Sequence, residues 1–263
     1  MRNVLIALAL VPVLIWGIWI AIPESYLEDS IEGSVIDKNF HLDTEGLKKG
    51  LFYRFTIDRL TLNGYGREQV SIQDVQAPIE LLALMRLHLN VSFDGKIGQG
   101  AVSGTISQTV NVKKLKMTIV EAPLGDFPFL HHAGIEGSGT LSIRCSMTNR
   151  TGHVEFETHD AQFQPVVFSN ITVPLNFFNR VKGALDIEED VTYIPSIALE
   201  GKDIYARMSG KIDAHSVDLS MEIMPGKSFL DNPIFINTFG KYEVSPGYYV
   251  IHVKRDIRAL IRS

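Results

Sequence analysis

Between Phe52 and Val253 the sequence keeps returning to one period, an apolar residue at every second position. Phe55 and Ile57, Leu60 and Leu62, and Val70 and Ile72 alternate with polar neighbours. So do Leu87, Leu89, Val91 and Phe93, then Leu141, Ile143, Cys145 and Met147, then Val154 and Phe156. The run Val217, Leu219, Met221, Ile223 is the cleanest, with Asp218, Ser220 and Glu222 between. Successive side chains of a strand point to opposite faces, so this pattern builds strands with one buried face and one wet face. Turn signals recur about every ten residues and separate about a dozen such strands. The expected fold class is all-β, a large antiparallel sheet over 51–263. Sheets twist, and large open ones rarely stay flat. The expectation is therefore a curled sheet around an apolar groove.

Some segments depart from the period. Ala77 to Arg86 starts with Pro78 and is rich in helix formers, which predicts one short inserted helix. Leu47 to Leu51 reads as a helical turn. Gly95 to Ser107 has the glycine density of a phosphate-binding loop but lacks its Gly-Lys-Ser/Thr end. It reads as a hairpin that uses glycine for bends and bulges. Val110, Val112, Leu115, Met117 and Ile119 alternate less perfectly, and Gln108 to Glu121 is read as a sheet edge. Glu188 to Asp190 reads as a hairpin turn. Pro246-Gly247 opens a last strand, Tyr248 to Val253, before a basic tail.

Val4 to Ile22 carries no charge. A helix that spans a bilayer needs about 20 apolar residues, and Pro12 is tolerated there. Trp16 and Trp19 suit the headgroup zone, and the flanking charges place residues 23–263 across the membrane from Arg2. A cleaved signal peptide would have a shorter apolar core followed by a small-x-small site, whereas Ala7 and Ala9 fall inside the run. The chain thus divides into an anchor (1–22), a linker (23–50) and a β domain (51–263). The net charge of −5 gives no sign of nucleic-acid binding. Cys145 is the single cysteine, so no internal disulfide forms, which suits a bacterial envelope.

No constellation for catalysis stands out. His131, His132, His153 and His159 lack metal-ligand spacing, and there is no Gly-x-Ser-x-Gly elbow. Neither an enzyme, a metal site nor a cofactor is expected.

The order of segments resembles a known family. Leu60-Thr-Leu62 is followed by Val75-Gln-Ala-Pro78, the Leu-rich segment Ile79 to Leu84, Leu89-Asn-Val-Ser-Phe93 and the glycine-turn strand pair up to Ser107. Leu141 to Ile143, Val191 to Gly201 and Ile204 to Ile212 continue it. This arrangement is similar to the type II secretion protein N (GspN) family and the broader AsmA-like proteins; nothing from Gly226 to Ser263 matches that pattern. The resemblance implies a single-pass protein of the bacterial inner membrane with its β domain in the periplasm. It implies an accessory or assembly role in type II protein secretion, with secretion proteins as partners, or a lipid-binding or lipid-transfer role in outer-membrane biogenesis, with phospholipid as ligand. In the second case the expected groove lining is Leu60, Leu62, Leu89, Val91, Phe93, Leu141, Ile143, Val154, Phe156, Leu219, Met221 and Ile223.

Overall fold

The computed structural model describes residues 16–17, 19–33, 39–51, 53–80, 88–109, 111–168, 171–213 and 215–256. Most of the expected span Val4–Ile22 lies outside them, and among the described residues no helix is long and apolar enough to cross a membrane.

The strands are β1 (Phe40–Glu45), β2 (Lys48–Lys49), β3 (Arg54–Gly64), β4 (Arg67–Pro78), β5 (Leu89–Ile97), β6 (Gly100–Gln108), β7 (Lys113–Pro123), β8 (Gly137–Thr148) and β9 (Thr151–Phe163). They continue with β10 (Val166–Phe168), β11 (Ile171–Val173), β12 (Arg180–Glu188), β13 (Val191–Gly201), β14 (Ile204–Asp213), β15 (Ser216–Pro225), β16 (Glu243–Ser245) and β17 (Tyr248–Asp256). Fifteen of them form one sheet in the order β1-β3-β4-β5-β6-β7-β8-β9-β12-β13-β14-β15-β17-β16, with β2 beside β3. Every pairing is antiparallel, and β10 and β11 form a separate hairpin. The sheet is open: its first and last strands do not pair with each other.

Three expectations are corrected. Gln108 to Glu121 is not an edge, because β7 lies between β6 and β8. Leu47–Leu51 is not a helical turn, since Lys48 and Lys49 pair with Thr56 and Phe55. Pro78 ends β4 rather than starting a helix, and Ile79 bridges to Val91. The rest of the expected helix, 81–86, lies outside the described residues.

The imperfect alternation has a cause. Ile72 and Val75, Ile119 and Ala122, and Thr158 and Ala161 are each spaced by three, and each gap holds a residue at positive φ: Asp74, Glu121 and Asp160. Registers shift at these points. A bulge inserts one extra residue and returns the next apolar side chain to the same face. The β3–β4 turn uses Tyr65 and Gly66, both at positive φ, as a type I′ hairpin requires.

Register aligns the apolar residues of different strands into rows. One row reads Ile97, Gly100, Ala122, Leu141 on β5 to β8, and continues through Val181, Leu199, Ala206, Ile223 and Tyr249. Its covers are short segments between strands. Leu124 and Phe127 of the loop after β7, with Leu130 of α2 (Pro128–His132), close one part; α1 is Glu24–Glu32. Phe229 of α3 (Lys227–Leu230) and Phe235 and Phe239 of α4 (Pro233–Phe239) close another. Trp19, Leu47 and Tyr53 cover Ile57 and Val75, with Leu27 and Ile31 of α1 beside them.

Candidate functional site: an apolar face with one uncovered end

From the covered row toward the opposite strand ends, burial declines. Two rows remain. The first runs Phe93, Gly104, Met117, Cys145, Val154, Leu185. The second runs Val91, Ile106, Leu115, Met147, Gly152, Ile187, then Thr192, Ile212 and Val217. Their members are half-buried, except Ile106, which is 42% exposed. Among the described residues, Leu89, Ile106, Leu115, Cys145, Met147, Val154, Ile187 and Val217 belong to no buried cluster. This band crosses nine neighbouring strands, β5 to β15, about 38 Å at a spacing of about 4.8 Å per strand.

Glycine shapes the face within the band, at Gly104, and in the row beside it, at Gly183. A Cβ on Gly104 would lie 2.3 Å from Cζ of Phe93, and one on Gly183 would lie 2.7 Å from Cζ of Phe156. Each ring lies across a strand that has no side chain to lift it. The glycines read as bends and bulges in the sequence are therefore, at these two positions, seats for aromatic rings.

The twelve residues expected to line a groove share this one face, but not one environment. Leu141 and Ile223 are buried under the covers, at 4% and 2% exposure, and belong to the core. Ile143, Phe156, Met221, Leu219, Leu60, Val91 and Phe93 are half-buried against the clusters. Leu62, Leu89 and Val154 lie outside them. Missing from that set are Ile106, Leu115, Met117, Cys145, Met147, Leu185, Ile187 and Val217. Alternation marks most of them, but it cannot tell the covered end of a strand from the uncovered end. Cys145 faces Met117 and Val154 across its neighbours, and burial pushes its thiol pKa up, which favours the neutral form.

The opposite face is polar and internally paired. His153 Nδ1 lies 2.6 Å from Asp186 Oδ1, and its Nε2 lies 3.6 Å from Glu155. The hydrogen bond to Asp186 raises the His153 pKa, helped by Glu155. Arg180 donates to Glu157 and to Glu200, and its hydrogen bond holds the Glu157 carboxyl below its usual range. Two open hollows of about 870 and 590 Å³ lie on this side, the first beside His153, Asp186 and Glu188 and the second beside Arg144, Glu155 and Lys182. Among the described residues no group of His, Cys, Asp and Glu is arranged to hold a metal ion. The paired charges here link neighbouring strands.

Comparison with known protein families, with characterised proteins and with solved structures gives no match for this chain.

Proposed function

We propose that this chain is a non-catalytic, membrane-tethered β domain that holds the acyl chains of a phospholipid on the uncovered end of its apolar face. The observation that carries this reading is the band of half-buried apolar side chains, whose members Leu89, Ile106, Leu115, Cys145, Met147, Val154, Ile187 and Val217 lie outside every buried cluster. Large uncovered apolar areas on folded proteins mark binding surfaces. At about 38 Å the band exceeds the acyl layer of one leaflet, about 15 Å or half the bilayer core. Its lining is aliphatic and sulfur-bearing apart from Phe93, with Met117 and Met147 able to adapt to a mobile chain. The sheet is a single open, uncurled one, which corrects the expected curl, so the proposed binding is to an open face rather than an enclosed groove. The anchor at Val4–Ile22, the inner-membrane and periplasmic placement, and the AsmA-like class are part of this proposal.

The accessory role in type II secretion is the second reading. What favours it is the polar face, broad and carrying open hollows lined by charged side chains that suit a protein surface. Secretion proteins would be its partners there.

The test of the first reading is native mass spectrometry with lipid extraction on the full chain. Stoichiometric phospholipid is expected, and it should be lost in Met117→Asp and Val154→Asp variants whose circular dichroism is unchanged. A folded chain without lipid would move the account to the second reading.

A further inference from the structure

The two edges of the sheet are finished differently. At the first, α1 lies against β1. The Glu32 carboxylate accepts the Thr44 N–H at 3.1 Å and its Oγ1–H at 2.8 Å, and Glu24 accepts the Lys49 N–H of β2 at 2.9 Å. Backbone donors at that edge are thus occupied by side chains of the same chain. At the last edge, β16 pairs only with Tyr248 and Tyr249 of β17. Among the described residues, no strand pairs with the outer side of Val250–Asp256. Alternate N–H and C=O groups along that stretch face outward, which makes it a template for another strand.

We infer that the outer edge of β17 docks an extended peptide segment of a partner protein, one that alternates apolar residues with carboxylates. This goes beyond both readings above and depends on neither. β15 already shows which chemistry β17 accepts. In register, Leu219 faces Val253 and Met221 faces Ile251, while Asp218 faces Lys254 at 3.8 Å. The apolar rows do not stop short of the edge: Ile251 is 6% exposed, and Val253 lies on the same face. A strand added there continues the apolar face only if every second residue is apolar. On the other face, Lys254 is 82% exposed and open to a second carboxylate from the outer side. β17 has no proline and no register shift against β15, two of the devices that disable an edge. Strand addition of this kind takes affinity from the backbone and selectivity from alternate side chains.

The probe is a fluorescent synthetic peptide with the sequence of β15, Ser216–Pro225, titrated into the full chain by anisotropy. Two control peptides have the same residues in scrambled order, or proline at two positions within the alternating run. Saturable binding of the first peptide alone is expected, weakened at least tenfold in Lys254→Glu. Equal binding of the three peptides, no saturation, or binding unchanged in Lys254→Glu would overturn the inference. Sedimentation of the chain alone adds a further check. A monomer is expected; a dimer that Lys254→Glu separates would assign the edge to a second copy of this chain and overturn the peptide reading. Because the controls alter the peptide and leave the protein intact, a poorly folded variant does not decide the outcome.

Discussion

The covered and uncovered ends of the apolar face are built from the same strands and nearly the same residue types, yet only one end is core. On β7, Ile119 is 3% exposed, while Leu115, four residues earlier and on the same face, is half-buried and in no cluster. The strands do not make this difference. The segments between them do: seven of the chain's 14 phenylalanines (Phe127, Phe129, Phe177, Phe178, Phe229, Phe235, Phe239) sit in three short connections, and most of them pack over the covered end. Alternation makes a sheet with an apolar side, and the connections decide how much of that side becomes interior. What they leave uncovered stays outside the core.

The contrast yields a graded set of expectations. The largest belongs to the aromatic cover. Phe235 packs against Phe239 at 4.9 Å, Tyr249 at 5.3 Å and Phe229 at 5.7 Å between ring centroids. Phe235→Ala should lose about 3–5 kcal/mol in chemical denaturation, as large core truncations do. Next comes the matched pair on β7. Ile119→Ala should cost about 2–5 kcal/mol and Leu115→Ala less than about 1 kcal/mol. Equal costs would mean that both ends are core. Asp203→Ala should loosen the α3–α4 cover more gently. The Asp203 carboxylate accepts the Ser228 N–H at 2.9 Å and its hydroxyl, and those bonds hold its pKa down. Hydrogen exchange should quicken at α3 and α4 while β5 to β8 stay protected.

The smallest effect is a pH dependence on the polar face. The His153 pKa is raised above its ordinary 6.5 by Asp186, so its contribution to stability is fully present below that value and is lost as pH rises through the raised pKa. The melting temperature of the wild type minus that of Asp186→Asn should therefore shrink from pH 6 to pH 9. A difference that stays constant would show that the pair contributes no linkage.

Much of the sheet was legible in the sequence because period two is a direct consequence of strand geometry. The glycine-rich stretch Gly95–Ser107 spans the β5–β6 hairpin, and Glu188 to Asp190 holds the turn between β12 and β13. Spacings of three looked like flaws until positive-φ residues at Asp74, Glu121 and Asp160 explained them as bulges. The edges were not legible. Whether β7 lies inside the sheet or at its rim depends on which strands pair, and nothing local in Gln108–Glu121 reports that. The uncovered band was half legible. Its residues alternate like any others, but the end of each strand that meets water is set by Leu124–Phe127 and Lys227–Phe239, segments with no strand period. For the same reason Leu141 and Ile223 resembled groove lining although both are core.

The central claim, that lipid meets the uncovered end of the apolar face, is tested most directly by photo-crosslinking with adjacent residues as internal controls. A benzophenone amino acid is placed in the full chain, mixed with phospholipid vesicles, at Leu115 or Ile106 on the apolar face and at Lys116 or Thr105 on the polar face. Mass spectrometry then reads phospholipid adducts. The account predicts adducts at Leu115 and Ile106 at least tenfold above those at Lys116 and Thr105. Equal yields on the two faces, or adducts on the polar face alone, would contradict it.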